Sequence, residues 1–198
     1  MKFIEQPLRQ GEYVAQVYPK STIVLHHTAS YDAQGVDDWW NNDGQGAIGT
    51  AYSINLDGTI NRHFPDNMWA YHTGQGASVD KFNIGIEIAN IGWVVKKGDK
   101  YYDYLGKEYK GKIYEYPWRG YQYWTVYTPA QYIATKELVT ELCKKHNIPK
   151  DVVTSFKYDP KYFYHKGIVS HHNVWASGKW DVSPAFPLYQ LARELKKC

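Results

Sequence analysis

The stretch STIVLHH, residues 21–27, places β-forming residues directly before two imidazoles. From Thr22 to Leu25 it offers no polar face to solvent after the first position, so it reads as a short strand central in a sheet. His26 and His27 then fall at the C-terminal end of that strand. The fold is built outward from this element.

A second strand is predicted in NIGIEIAN, residues 83–90. Its period of two puts Ile84, Ile86 and Ile88 on one face and Gly85, Glu87 and Ala89 on the other. A carboxylate in the middle of such a strand, opposite an all-isoleucine face, needs either solvent or a task. Between the two strands, TAYSINLDGTINRHF (residues 50–64) is the clearest hairpin, with β-formers on both sides of the turn dipeptide Asp57-Gly58. VDDWWNN, residues 36–42, reads as a short helix.

A longer helix starts at Thr128, which suits an N-cap, with Pro129 at the first helical position and Gln131 completing a capping box. Tyr132, Leu138, Val139, Leu142 and Cys143 mark its apolar side, and HNIP ends it. A last helix is expected from near Ser183-Pro184 to Lys197, with Leu188, Leu191 and Leu195 inward. Residues 92–127 are rich in Gly, Lys and Tyr and show neither a 2 nor a 3.6 period. The segment is long for a connector and reads as an insert: an extended arm or irregular subsite with exposed aromatics, with a small hairpin decorating the surface as the other reading. With no repeat, heptad or linker, residues 1–198 are expected to form a single α/β domain, a central mixed sheet flanked by helices.

Composition narrows the function. A chain of 198 residues that is 43% apolar and 17% aromatic buries a sizeable core and is not disordered. The net charge of +3 is mild, and the lysines between Lys96 and Lys112 are interleaved with Asp and Glu, so no nucleic-acid partner is expected. Two cysteines make no disulfide framework: Cys143 reads as a small buried thiol and Cys198 as a free one, which suits a reducing compartment. No apolar run reaches signal-peptide or membrane-span length. The expectation is a monomer made and folded in a cytoplasm, without membrane insertion.

The chemistry gathers in SHHNVWASGKWDVSP, residues 170–184. Structural zinc sites show close-spaced ligand pairs, which are missing; an open catalytic site needs three ligands, commonly imidazoles and a carboxylate. Candidates are His26 or His27, His171 or His172, and Asp181. Glu87 could take a proton from water, and Lys179 could face the oxyanion that forms when water attacks a carbonyl. Against this stand ordinary readings: a salt bridge at the sheet edge for Glu87, solvent exposure for Lys179, a turn and N-cap for Asp181. His63, His146 and His165 look unremarkable.

Four motifs in order resemble the zinc-dependent N-acetylmuramoyl-L-alanine amidases of the type 2 amidase family, which includes phage endolysins and peptidoglycan recognition proteins. They are TIVLHHTA, DGTINRHFPDNMWAYHTG, NIGIEIAN and VSHHNVWASGKWDVSP. The resemblance implies a Zn²⁺ held by His26, His171 and Asp181. His171 is preferred to His172 because the family's histidine precedes the lysine by eight residues and the third ligand by ten. It implies hydrolysis of the amide between N-acetylmuramic acid and L-alanine in peptidoglycan, with water held at the zinc as nucleophile, Glu87 as general base and Lys179 beside the oxyanion. His72, Trp69 and Tyr71 are implied as substrate-binding groups lining the cleft. Some members use a tyrosine early in the hairpin; Thr50 stands near that place and Tyr52 close by, and neither is assigned. The implied setting is a cytoplasm before release to the cell wall, as for a cell-lysing endolysin. A cytosolic muropeptide-recycling amidase, a delivered effector or a non-catalytic peptidoglycan-binding module are the alternatives.

Overall fold

The computed structural model describes residues 3–42, 44 and 46–197. The expectation for Cys198 lies outside them. In chain order the strands are β1 (Ile4–Glu5), β2 (Thr22–His27), β3 (Tyr52–Ile54), β4 (Ile60–Arg62), β5 (Asn83–Ile88), β6 (Trp93–Lys97), β7 (Lys100–Tyr102), β8 (Glu108–Tyr109), β9 (Ile113–Trp118), β10 (Tyr121–Thr125) and β11 (Gly167–Ser170). The central sheet runs β1-β4-β3-β5-β2-β11 and is mixed, with only β3 and β4 antiparallel.

The all-apolar strand lies between two parallel neighbours, β5 and β11, as a run without a polar face requires. It continues two residues past Leu25, because His26 and His27 keep pairing with Glu87 and Ile88. The hairpin closes as its Asp-Gly signal predicts: Gly58 has φ of 86° and its N–H donates to the Asn55 carbonyl.

Among the described residues, five α-helices accompany the sheet: α1 (Gln34–Trp40), α2 (Ala77–Asp80), α3 (Pro129–His146), α4 (His171–Val174) and α5 (Leu188–Leu195). The Thr128 hydroxyl accepts from the Gln131 N–H at 3.0 Å, and the Gln131 side-chain oxygen accepts from the Thr128 N–H at 2.9 Å. Both orphan donors at the start of α3 are thereby satisfied. Its buried side, Leu138, Val139, Leu142 and Cys143, shares one core with Ile54, Ile84, Ile86 and Ile88 from the sheet. Leu138→Ala should therefore cost about 2–5 kcal/mol of unfolding free energy. Urea unfolding would read it, and a loss below about 1 kcal/mol would contradict this packing.

Two expectations are corrected. The last helix begins at Leu188, beyond Ser183-Pro184, because residues 183–186 form a separate turn that buries Phe186. Pro187 has no N–H to continue a ladder, so the helix starts after it. The segment 92–127 is no irregular arm: it forms a second, wholly antiparallel sheet, β8-β7-β6-β10-β9. Its strands carry Tyr and Lys on both faces; Val95 pairs with Tyr102 and Lys96 with Tyr101. That distribution erases the contrast a period-two reading depends on. Trp124 is its buried anchor.

Candidate metal centre

One row of the central sheet carries the polar chemistry. His26 on β2 stands beside Glu87 on β5, which stands beside Ser53 on β3, which stands beside Asn61 on β4. His171 opens α4 immediately after β11, and Asp181 lies in the loop between α4 and α5. These elements bring His26, His171 and Asp181, all buried, to one point.

The three atoms that converge are His26 Nδ1, His171 Nδ1 and Asp181 Oδ2, separated by 2.9, 3.1 and 2.8 Å. Three lone-pair atoms in so small a triangle call for a shared positive charge. Bonds of about 2.0–2.2 Å to a tetrahedral dication would set such atoms about 3.3 Å apart, so a slight opening of this triangle admits one. Protonation also favours ligation. Burial, reinforced by the neighbouring His171, holds His26 well below its ordinary value and hence neutral. Burial alone would raise the Asp181 carboxyl, but His171 and His26 outweigh it and keep it ionised.

The adjacent histidines separate cleanly. His27 points to the other side of its strand, with Nδ1 3.0 Å from the Tyr127 hydroxyl. His172 turns away along α4, stacked on Phe156 and edge-on to Trp118, with its Nδ1 3.1 Å from the Asp181 carbonyl. His171, not His172, reaches the centre.

Behind the cluster, His26 Nε2 lies 2.9 Å from His72 Nδ1, and His72 Nε2 faces Asp80 at 3.8 Å. If His26 Nδ1 serves as ligand, its Nε2 carries the hydrogen and donates it to His72, whose own hydrogen then points to Asp80. Asp80 is fixed by the N–H and hydroxyl of Thr73 at 3.1 and 2.7 Å. Gly85 makes room for this arrangement: a Cβ there would lie 2.6 Å from Thr50 Cγ2 and 3.2 Å from His72 Nδ1.

The cluster opens into a cleft of about 640 Å³ whose lining includes Glu87, Lys179, Tyr71 and His72. Glu87 is half-buried, and its Oε2 has no hydrogen-bond partner among the described residues. Burial first, then Asp181 and Asp37, push its carboxyl well above the usual range, while Lys179 pulls the other way. Lys179 Nζ sits 5.9 Å over the Trp175 ring.

Trp69 does not line the cleft. It is 7% exposed and meets Tyr71 edge-on at 5.1 Å, so it supports a wall residue from behind. Thr50 lines the cleft, whereas Tyr52 lies on the core face with its hydroxyl donating to Asp66. His63 belongs to a buried network with Asp37, Ser53 and Asn61 that continues the polar row. Sequence reasoning missed this network, the Asp80 support and the cleft residues Trp39, Tyr104 and Trp180.

Acid should unfold this protein. Burial lowers His72 and His172 to about 4, while in the unfolded chain they titrate near 6.5. A depressed histidine contributes stability in full above about pH 6.5 and loses it as pH falls towards 4. At 1.36 kcal/mol per pKa unit, each could withdraw up to about 3 kcal/mol. The thermal midpoint of metal-stripped protein should drop steeply between pH 6.5 and 4; a flat profile would contradict the burial assigned to these rings.

A family model described as N-acetylmuramoyl-L-alanine amidase matches residues 16–184. No curated protein sequence matches the chain. Among solved structures, the N-acetylmuramoyl-L-alanine amidase LysC from Clostridium intestinale is similar, with a TM-score of 0.62, 19% identity, and coverage of 99% of this chain and 98% of that one. The amidase AmiD from E. coli, solved with an anhydro-N-acetylmuramic acid peptide, is similar at TM-score 0.57 and 21% identity over 91% of this chain and 59% of its own. AmpDh3 from Pseudomonas aeruginosa matches at TM-score 0.56 and 19% identity, over 92% and 61%. At these identities the likeness to solved structures is one of fold.

Proposed function

The chain belongs to the N-acetylmuramoyl-L-alanine amidase family, and from that premise we propose that it is a zinc enzyme cleaving the amide between N-acetylmuramic acid and L-alanine in peptidoglycan. The observation that carries this reading is the convergence of His26, His171 and Asp181 on one point at the floor of a cleft that also holds Glu87 and Lys179. Zinc at that point would polarise the scissile carbonyl and make a water acidic enough to react near neutral pH.

The chain's own groups do the rest. Glu87 takes a proton from the attacking water and returns it to the departing alanine nitrogen. No donor among the described residues competes for its Oε2. The Lys179 ammonium faces the oxygen on which negative charge develops. His72, with Nδ1 2.9 Å from His26 Nε2 and the Asp80 carboxylate on its far side, holds the ring of His26 in one tautomer. Tyr71 supplies an exposed aromatic wall. Trp39 and Tyr104, also exposed at the rim, favour a polymeric wall substrate over a small soluble muropeptide. A pure binding module needs no free carboxylate beside a ligand cluster, and none of the geometry calls for one.

The test is digestion of defined peptidoglycan, read by mass spectrometry, with and without chelator. Free stem peptides beginning at L-alanine, lost on chelation and restored by zinc, are expected. Binding to wall with no product from either wall or an anhydromuropeptide would overturn the reading. Cleavage of the anhydromuropeptide alone would move it to recycling.

A further inference from the structure

The turn between β9 and β10 of the second sheet packs against the segment that joins His171 to Asp181. β9 and β10 are joined by Arg119 and Gly120, both in the left-handed region, with φ of 45° and 85°. Glycine adopts that conformation freely, but at arginine it costs on the order of 1 kcal/mol. What the arginine does with its side chain accounts for its place there. Its Nη1 donates to the Lys179 carbonyl at 2.6 Å, and its Nη2 to the carbonyls of His172 and Trp175, both at 3.1 Å. In return its own carbonyl accepts from Trp180 Nε1 at 3.2 Å. The guanidinium lies 5.1 Å over Trp118, whose ring meets His172 edge-on.

All four hydrogen bonds fall on the segment 172–180, which begins next to His171 and ends next to Asp181. Ala176, Ser177 and Gly178 within it are exposed and have no regular structure. Its ends are pinned to each other by the His172 N–H donating to the Asp181 carbonyl at 2.9 Å. Its first part is helix α4, held also by Gln75 Nε2 on the Val174 carbonyl at 2.9 Å, so the arginine's bonds to the Trp175 and Lys179 carbonyls bear on the irregular half that carries the cleft-lining lysine and leads to Asp181. The flat five-donor fork of arginine can reach three carbonyls at once; a lysine ammonium on a flexible stem cannot hold the same three in fixed directions.

We propose that Arg119 is a positioning residue: the second sheet uses it to clamp the 172–180 loop, setting Asp181 for the metal and Lys179 for the reacting carbonyl. Lost positioning reads out separately in two quantities. Metal affinity depends on Asp181, and kcat depends on Lys179 as well. The kinetic arm rests on the amidase reading; the metal arm does not.

The experiment compares wild type, R119A and R119K by zinc competition against a chromophoric chelator and by peptidoglycan kinetics, with thermal midpoints recorded beside them. R119A should bind zinc roughly 10–100-fold more weakly, as loss of outer support to a ligand does, and lose kcat with KM little changed. R119K should fall between R119A and wild type. If R119A does not fold, the ranking of R119K decides: weaker zinc binding at an unchanged midpoint supports the clamp. Zinc affinity and kcat equal to wild type in the arginine variants, or a lowered midpoint with both unchanged, would overturn it. If wild type itself cleaves no wall substrate, the functional reading fails, and the zinc affinities still decide the role of Arg119.

Discussion

Glu87→Gln should lower the rate of amide hydrolysis roughly 10²–10⁴-fold, the usual contribution of a positioned general base, while leaving zinc content unchanged. Glutamine keeps the shape of the side chain and removes its ability to take a proton. Zinc should stay, because the three converging atoms belong to His26, His171 and Asp181 and none belongs to Glu87. The position argues for the role. Glu87 occupies the same sheet row as His26, half-buried, and the salt bridge expected of a structural carboxylate is absent, since its Oε2 has no partner among the described residues. Burial and the nearby Asp181 raise its pKa, which is what a base working near neutrality requires. The acid limb of the pH–rate profile should follow from it: as pH falls, Glu87 protonates and activity is lost, and in the glutamine variant that limb should disappear. Product release measured by mass spectrometry, beside metal analysis of the same samples, checks both halves. A variant within a few-fold of wild type would sink the assignment.

Much of this centre is legible in the sequence because its parts sit on elements with strong local signals. The apolar run at 22–25 and the alternating isoleucines at 84–88 place His26 at a strand end and Glu87 mid-strand, and both strands form with the faces their periods require. The capping box at Thr128 and Gln131 is likewise a local code that the structure honours. What is not legible is pairing across the sheet. Nothing local to either strand says that His26 lies opposite Glu87, and no spacing says that His72 reaches back to His26 with Asp80 behind it. Residues 92–127 fail for a different reason. A sheet with Tyr and Lys on both faces loses its hydrophobic alternation, so its turns at Gly98, Gly106 and Arg119-Gly120 are the surviving signal. Arg119 is hidden for a third reason: its partners are backbone carbonyls, which leave no trace in residue identity.

The neighbouring histidines His171 and His172 offer the sharpest separation of chemistry from packing. His171→Ala should abolish stoichiometric zinc binding and reduce hydrolysis to background, because an open catalytic site has three protein ligands and none in reserve. His172→Ala should keep zinc and cost stability instead. Its ring is fully buried between Phe156 and Trp118, so truncation leaves a cavity of aromatic size and strips a polar contact from the Asp181 carbonyl. Roughly 2–4 kcal/mol is the expected loss, almost all of it from the cavity, because the Asp181 carbonyl still accepts from the backbone N–H of residue 172. Metal analysis and urea unfolding of the two variants, both measured metal-free for stability, should therefore give crossed results. If His172→Ala loses the metal while His171→Ala retains it, the doublet has been read in the wrong register and the ligand set must move one residue along α4. The geometry argues against that shift. A step of one residue turns the side chain by about 100° around a helix, and at that rotation His172 faces Phe156 and Trp118 while His171 Nδ1 remains 2.8 Å from Asp181 Oδ2.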